Sequence, residues 1–232
     1  MLKIMKVPFT TELPDKYNRL IQVGSLEEMF SAVESAGSDV NLIVWRRGAL
    51  EGDFNTLAEC LSDSSSEDKS ISYPELYLKS TDIIQPEDLS LRSDFSAACA
   101  AIYKDIKDLA ELRPGDVEMH TLRSVGHHGY EEADIHDFHS DQDYWRFMAC
   151  YSGLGTEWIK NEDSIKDDTR DGFYYAAEDA AHYHFQEGDV WLQSGEGLTG
   201  RAPFLHRAPD ITFNEGDKPQ KRLMYVADLA MS

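Results

Sequence analysis

The sequence is poor in basic residues and in cysteine. Its 22 Lys and Arg residues face 43 Asp and Glu residues, which gives a formal net charge of −21. Such a surface repels the phosphate backbone of nucleic acids and anionic lipid headgroups, so we expect neither nucleic acid nor membranes among its partners. The three cysteines are odd in number and lie far apart, which argues against a disulfide framework.

Long hydrophobic runs are absent as well. No segment approaches the roughly 20 apolar residues that a membrane-spanning helix needs. The first residues, MLKIMKVPFTTELPDKY, contain no apolar stretch typical of a signal peptide. These features predict a cytoplasmic protein. Hydrophobic residues still make up 41% of the chain, which is enough for a real core and excludes a disordered or fibrous protein.

The length of 232 residues fits a single domain over residues 1–232, with two parts of different character. The part to about residue 112 is predicted to be mainly helical. Ser25 and Glu28 have the spacing of a capping box before a helix to Ala36, and residues 49–61 fit a second helix. Residues 86–112 fit one long amphipathic helix, while Val40–Arg46 forms a compact apolar run that favours a strand.

The part from about residue 116 to 232 has the pattern of a β-sandwich. Residues 117–125 alternate between polar and apolar side chains. Short segments rich in aromatic or branched residues follow at 144–151, 180–185, 190–193 and 223–229, with turns between them, while the polar stretch 161–171 is predicted to be a loop. Short strands with regular turns are typical of a barrel or jelly roll. We therefore expect an α+β fold in which a helical N-terminal layer supports a β core.

All eight histidines lie between residues 120 and 206, inside this β part. His139 and Asp141 are two residues apart, so on a strand their side chains share one face and can bind one metal ion. The best candidate for a third ligand is His206. Two histidines and one carboxylate form the facial triad of non-haem Fe(II) oxygenases, which leaves metal positions open for a co-substrate and dioxygen.

An arginine begins the last apolar strand. Arg222 comes 16 residues after His206 and precedes the segment LMYVA. A guanidinium at this position can clamp a carboxylate through two parallel hydrogen bonds.

The order of these motifs resembles that of the 2-oxoglutarate- and Fe(II)-dependent oxygenases, which have a double-stranded β-helix, a cupin-like jelly roll. The chain also resembles an uncharacterised bacterial family of unknown function. The segments that carry the second resemblance are NLIVWRR, FHSD, YSGLGTEWI, LHRAP and the Arg-Leu pair at 222.

The oxygenase resemblance implies specific roles for eight residues. His139, Asp141 and His206 would bind Fe(II) and form the catalytic centre, and Arg222 would bind the distal carboxylate of 2-oxoglutarate. Four further residues would line the pocket or help to hold the co-substrate: Arg146, Tyr151, Thr156 and Trp158. The expected function is hydroxylation of a small molecule or peptide with dioxygen.

Two other functions remain open from the sequence. The same three ligands could serve a non-catalytic metal-binding or sensor protein. His182 and His184, with Glu187 nearby, have some likeness to the metal motif of cupins, which would make the protein a metalloenzyme without 2-oxoglutarate. The pattern assigns no ligand role to the remaining histidines, which are His120, His127, His128 and His136.

Overall fold

The computed structural model of the protein describes residues 9–63, 75–78, 96–125, 137–142, 145–198, 200–209 and 222–230. The helices in these ranges are α1 (Leu26–Ser35), α2 (Phe54–Asp63) and α3 (Ser96–Leu112). The strands are β1 (Phe9–Thr10), β2 (Leu20–Val23), β3 (Leu42–Arg46), β4 (Glu75–Leu78), β5 (Val117–Val125), β6 (Phe138–His139), β7 (Trp145–Ser152), β8 (Glu157–Trp158), β9 (Ser164–Lys166), β10 (Phe173–Ala176), β11 (His182–His184), β12 (Asp189–Ser194), β13 (His206–Arg207) and β14 (Arg222–Leu229).

Polar side chains cap the beginnings of α1 and α2. Ser25 Oγ accepts a hydrogen bond from the backbone N–H of Glu28 at 3.2 Å, which confirms the cap predicted for α1. The second helix starts later than predicted because Asp53 provides its cap and accepts from the N–H of Thr56 at 3.0 Å. The predicted long helix is confirmed from residue 96 to 112, and residues 86–95 lie outside the described ranges.

The strands form two seven-stranded sheets. We call the sheet ordered β2-β3-β12-β7-β14-β5-β4 the helix-covered sheet, and the sheet ordered β1-β11-β8-β13-β6-β10-β9 the second sheet. From β5 to β8, and again from β11 to β14, successive strands alternate between the two sheets. This alternation is the pattern of a jelly roll. One expectation was wrong: the polar stretch 161–171 contains a short 3-10 helix and then β9.

The helix-covered sheet has a different core on each face. Along β14, Leu223 and Tyr225 point to one side and pack with the apolar residues of all three helices. Met224 and Val226 point to the other side, into the space between the sheets. We call the face that borders this space the inner face of each sheet.

Among the described residues, no helix is long and apolar enough to cross a membrane.

Candidate metal centre

The second sheet brings together two histidines that are far apart in sequence. Strands β6 and β13 are antiparallel neighbours, and His206 is the direct partner of His139. The two imidazole rings lie 4.6 Å apart between centroids. Asp141 follows His139 by two residues, so the chain returns its carboxylate to the same side.

The side chains of these three residues converge. One ligand atom from each of His139, Asp141 and His206 lies within 4.8 Å of the other two. His206 Nε2 is 3.6 Å from Asp141 Oδ2, and His206 is buried while the other two are partly exposed. In the part of the chain that the structure describes, this is the group of His, Cys, Asp and Glu residues found close enough to hold one ion.

The environment favours the protonation states that metal binding requires. Burial lowers the pKa of His206 to about 4, despite the opposing attraction of Asp141, so this imidazole is neutral at physiological pH. Burial alone would raise the pKa of Asp141, but His206, Arg146 and His139 lower it below its ordinary value, so this carboxyl is ionised. A neutral imidazole and a carboxylate are the ligand forms of these residues.

A backbone carbonyl selects the tautomer of His139. Its Nδ1 lies 2.9 Å from the carbonyl oxygen of Asp137. A carbonyl oxygen can only accept, so Nδ1 carries the hydrogen and Nε2 keeps the lone pair that a metal needs. Two imidazoles and one carboxylate suit Fe(II), and their number leaves metal positions for other ligands. The residues present therefore fit the ion that the sequence motif implies.

Both oxygens of Asp141 accept hydrogen bonds from neighbouring side chains. Arg146 donates to Oδ1 at 2.5 Å, and Gln193 donates to Oδ2 at 2.6 Å. Arg146 also donates to Asp228 at 2.6 Å. Trp191 Nε1 donates to the amide oxygen of Gln193 at 2.8 Å. The sequence did not single out Gln193, Trp191 or Asp228, and only the strand register joins them to the triad.

Arg222 enters the space between the sheets. Its side chain is on the same face of β14 as Met224, and its terminal nitrogen contacts Met224 Sδ at 2.6 Å. The residue is 6% exposed, and its Nε has no hydrogen-bond partner among the described residues. A buried guanidinium donor without a partner is costly, which makes it a candidate for binding an anion.

Trp158 also borders this space. It is the register partner of His206, it is fully buried, and its ring stacks on Tyr183 with centroids 4.5 Å apart. Its indole N–H has no hydrogen-bond partner within the described residues. Thr156 lies two residues earlier and is buried, and its carbonyl oxygen accepts from the N–H of Phe185 at 3.2 Å.

The structure places Tyr151 away from this space. The residue lies on the helix-facing side of β7, stacks on Phe54 with centroids 5.4 Å apart, and donates its hydroxyl hydrogen to Asp105 at 2.6 Å. The expectation that Tyr151 lines the pocket was therefore wrong, because strand alternation turns its side chain to the opposite face. Arg146 does lie on the inner face, but it pairs with Asp141 and Asp228.

A second set of imidazoles lies on the other face of the second sheet. His182 Nδ1 is 2.5 Å from Glu157 Oε1, and His184 Nε2 is 3.9 Å from Glu157 Oε2. Arg207 donates to the same Oε1 at 2.8 Å. Glu187, the acidic residue of the cupin-like spacing, instead accepts from the N–H of Gly153 at 2.9 Å. The structure thus does not assemble the cupin-type group, and the side chains of His120, His127, His128 and His136 lie outside the description.

Comparison with known proteins gives one family and a fold. The family model described as "Protein of unknown function (DUF1826)" matches residues 29–224. None of the curated proteins matches this sequence.

Several solved structures resemble the chain. The Kdo hydroxylase KdoO, a non-haem Fe(II) alpha-ketoglutarate-dependent dioxygenase in complex with cobalt(II), is 13% identical over 91% of this chain and 89% of its own, with a TM-score of 0.51. A putative oxygenase from Shewanella oneidensis is 13% identical over 90% and 89% of the two chains, with a TM-score of 0.45. The rice dioxygenase for auxin oxidation is 10% identical over 90% and 82%, with a TM-score of 0.47.

The likeness to KdoO shows the fold. The sheets and helices described above are those of an α+β protein with a double-stranded β-helix core and a helical N-terminal layer. The predicted fold class is therefore confirmed.

Proposed function

The chain belongs to the DUF1826 family, and for this member we propose the activity of an Fe(II)- and 2-oxoglutarate-dependent oxygenase that hydroxylates a small molecule or peptide. The observation that carries the proposal is the convergence of His139, Asp141 and His206 within 4.8 Å. It occurs on a double-stranded β-helix, at the strand pair β6–β13. The bound metal and 2-oxoglutarate would supply the activation of dioxygen and the oxidation of the substrate.

The three triad residues would hold the metal. Burial keeps His206 neutral, and the neighbours of Asp141 keep that carboxyl ionised, so neither side chain must lose a proton before it binds. The hydrogen bond between His139 Nδ1 and the carbonyl oxygen of Asp137 orients the imidazole of His139. These residues therefore present a preorganised site with one negative charge for a divalent cation.

Arg222 would bind the distal carboxylate of 2-oxoglutarate. Asp228 marks the triad end of β14, because it shares Arg146 with Asp141. Arg222 is the first residue of β14, at the opposite end from Asp228, and its guanidinium contacts Met224. About 13 Å of extended strand separates Met224 from Asp228. A co-substrate in the space between the sheets would meet its guanidinium there. The unpartnered N–H groups of Arg222 and Trp158 would both find acceptors in such an anion.

The inner aromatic residues would keep water away from the reacting centre. Phe204 stacks on His206 with centroids 5.7 Å apart, and the fully buried Trp158 and Phe185 lie in the same cluster. An apolar, dry surrounding strengthens electrostatic interactions between the site and its ligands. We further propose that the chain forms one domain, because the helices share one core with the helix-covered sheet. We also propose that the protein acts in the cytoplasm.

The test is an anaerobic titration of the purified protein, first with Fe(II) and then with 2-oxoglutarate, followed by calorimetry and visible absorption. We expect one equivalent of each to bind, 2-oxoglutarate only after the metal, and succinate to form when air is admitted. Binding of metal without any binding of 2-oxoglutarate would contradict the proposal and favour the metal-sensor function. Loss of both titrations in His139→Ala, with full retention in His182→Ala, would assign the site to the triad.

A further inference from the structure

The carboxylate of Asp141 is fixed at both oxygens, and each donor is itself fixed by a further residue. Arg146 and Gln193 donate to the two oxygens at 2.5 Å and 2.6 Å. Asp228 holds Arg146 at 2.6 Å, and Trp191 holds Gln193 at 2.8 Å. The hydrogen bonds thus form two arms that start on the helix-covered sheet and meet at Asp141.

Strand register places the two arms side by side. Arg146 on β7 is the direct partner of Gln193 on β12 and of Asp228 on β14. The three side chains form one row across the inner face of the helix-covered sheet. Asp141 lies on the connection between β6 and β7, so this row faces it from the opposite sheet. Rigid strands, and not loops, therefore set the position of each donor.

The Gln193 arm has a defined orientation. An indole N–H can only donate, so the amide oxygen of Gln193 must face Trp191. The amide nitrogen then faces Asp141, and it also lies 3.3 Å from His206 Nε2. Trp191 is fully buried and stacks on Phe185 with centroids 3.9 Å apart, so it cannot turn away.

The Arg146 arm raises an electrostatic conflict that Asp228 resolves. A guanidinium beside Asp141 orients the carboxylate, but its positive charge repels a cation bound to the same carboxylate. Asp228 is 6% exposed and shares the guanidinium, so the pair adds no net charge to the site. Without Asp228, the guanidinium of Arg146 would lose a carboxylate that offsets its charge, and it would compete more strongly with the cation for Asp141.

We propose that Arg146 and Gln193 are positioning residues that hold Asp141 for metal binding, and that Asp228 is the counter-ion that makes Arg146 compatible with a bound cation. The inference rests on the proposed metal site. In this proposal Arg146 supports the metal ligand Asp141 and does not bind the co-substrate. Loss of a supporting hydrogen-bond partner at a metal site typically costs about 10- to 100-fold in affinity.

The experiment measures Co(II) affinity and the visible absorption of the Co(II) protein for Asp228→Asn, Arg146→Met and the double variant. We expect Asp228→Asn to lower Co(II) affinity by about 10- to 100-fold and to change the Co(II) spectrum. In the Arg146→Met background the same substitution should have little further effect, because Asp228 acts through Arg146. Gln193→Met tests the other arm without leaving a buried charge unpaired, and we expect a loss of about 10-fold.

Asp105→Asn is the matched control. Asp105 is 7% exposed and pairs with Arg47 at 2.6 Å, but on the helix-facing side of the sheet. The Asp105→Asn substitution should lower the melting temperature of the protein and leave its Co(II) affinity unchanged. If the wild-type protein, Asp228→Asn and Gln193→Met bind Co(II) with equal affinity, the positioning roles are wrong but the proposed metal site stands. The same holds if Asp105→Asn loses as much Co(II) affinity as Asp228→Asn. If the wild-type protein binds no Co(II), the proposed function and this inference both fail.

Discussion

The second sheet carries two groups built from the same residue types on its opposite faces. The inner group is the triad of His139, Asp141 and His206. The outer group consists of two imidazoles, one carboxylate and one guanidinium, contributed by Glu157, His182, His184 and Arg207. Each group places histidines around a buried or half-buried acid, yet only the inner one brings its ligand atoms together among the described residues.

The difference lies in how each carboxylate is used. In the outer group, Glu157 Oε1 is shared by His182 at 2.5 Å and Arg207 at 2.8 Å, so an ion pair already neutralises it. In the inner group, the arginine that contacts Asp141 is shared with a second carboxylate, Asp228. To bind at the outer group, a cation would have to displace Arg207 from Glu157, and this would leave a partly buried guanidinium without its carboxylate at a large cost in free energy. Residue types alone therefore do not define a metal site, because the neighbouring charges decide it.

The largest expected difference between the two groups is in metal affinity after one imidazole is removed from each. His206→Ala should abolish metal binding, well beyond the roughly 10- to 100-fold loss expected for a supporting residue. His184→Ala should leave the metal affinity unchanged. Calorimetric titration with Fe(II) under anaerobic conditions measures both variants. Metal binding that survives in His206→Ala and disappears in His184→Ala would reverse the assignment of the two groups.

A second prediction compares an inner arginine with an outer one. Arg222→Ala should weaken 2-oxoglutarate binding by about 2–5 kcal/mol, because the distal carboxylate loses its charged partner in a buried site. Metal binding should stay nearly intact. Arg207→Ala is the control, and it should not change 2-oxoglutarate affinity in the same titration. Unchanged 2-oxoglutarate affinity and unchanged succinate production in Arg222→Ala would show that Arg222 does not bind the co-substrate.

The outer group should show its role in stability at low pH. Burial alone would raise the pKa of Glu157, but hydrogen bonds from His182 and Arg207 lower it to about 2, from an ordinary value of 4.5. This stabilisation is complete above pH 4.5 and is lost as the pH falls toward 2.

Glu157→Gln tests this contribution. The variant should be about 2–3 kcal/mol less stable to urea at pH 7. Its free energy of unfolding should also depend less on pH between 4.5 and 2 than that of the wild-type protein. Parallel pH profiles for the two proteins would show that Glu157 is not the responsible group.

The smallest effect is expected outside both groups and provides their baseline. Tyr151→Phe removes the hydroxyl that donates to Asp105 on the helix-facing side. The loss of this hydrogen bond should cost about 1 kcal/mol of stability, as measured by urea denaturation. The KM for 2-oxoglutarate should not change. A raised KM would instead return Tyr151 to the co-substrate pocket.

Local patterns predicted most elements and paired two of the three triad residues. The alternation of residues 117–125 and the cap at Ser25 each depend on neighbours in sequence, so β5 and α1 were found with nearly correct bounds. His139 and Asp141 were paired for the same reason, since a spacing of two on a strand fixes a common face. The polar stretch 161–171 misled, because β9 gains its strand structure only by pairing with β10.

The sequence by itself determined the class of fold, the acidic surface and the residue types available for a metal site, because these depend on composition and short periodic patterns. Tertiary structure alone decided which histidines meet. The register of β6 with β13 brings His206 to His139, whereas β11 places His182 and His184 beside Glu157. Likewise, the row of Gln193, Arg146 and Asp228 exists only because three strands are aligned. Such contacts join residues up to 82 positions apart, and no local pattern encodes them.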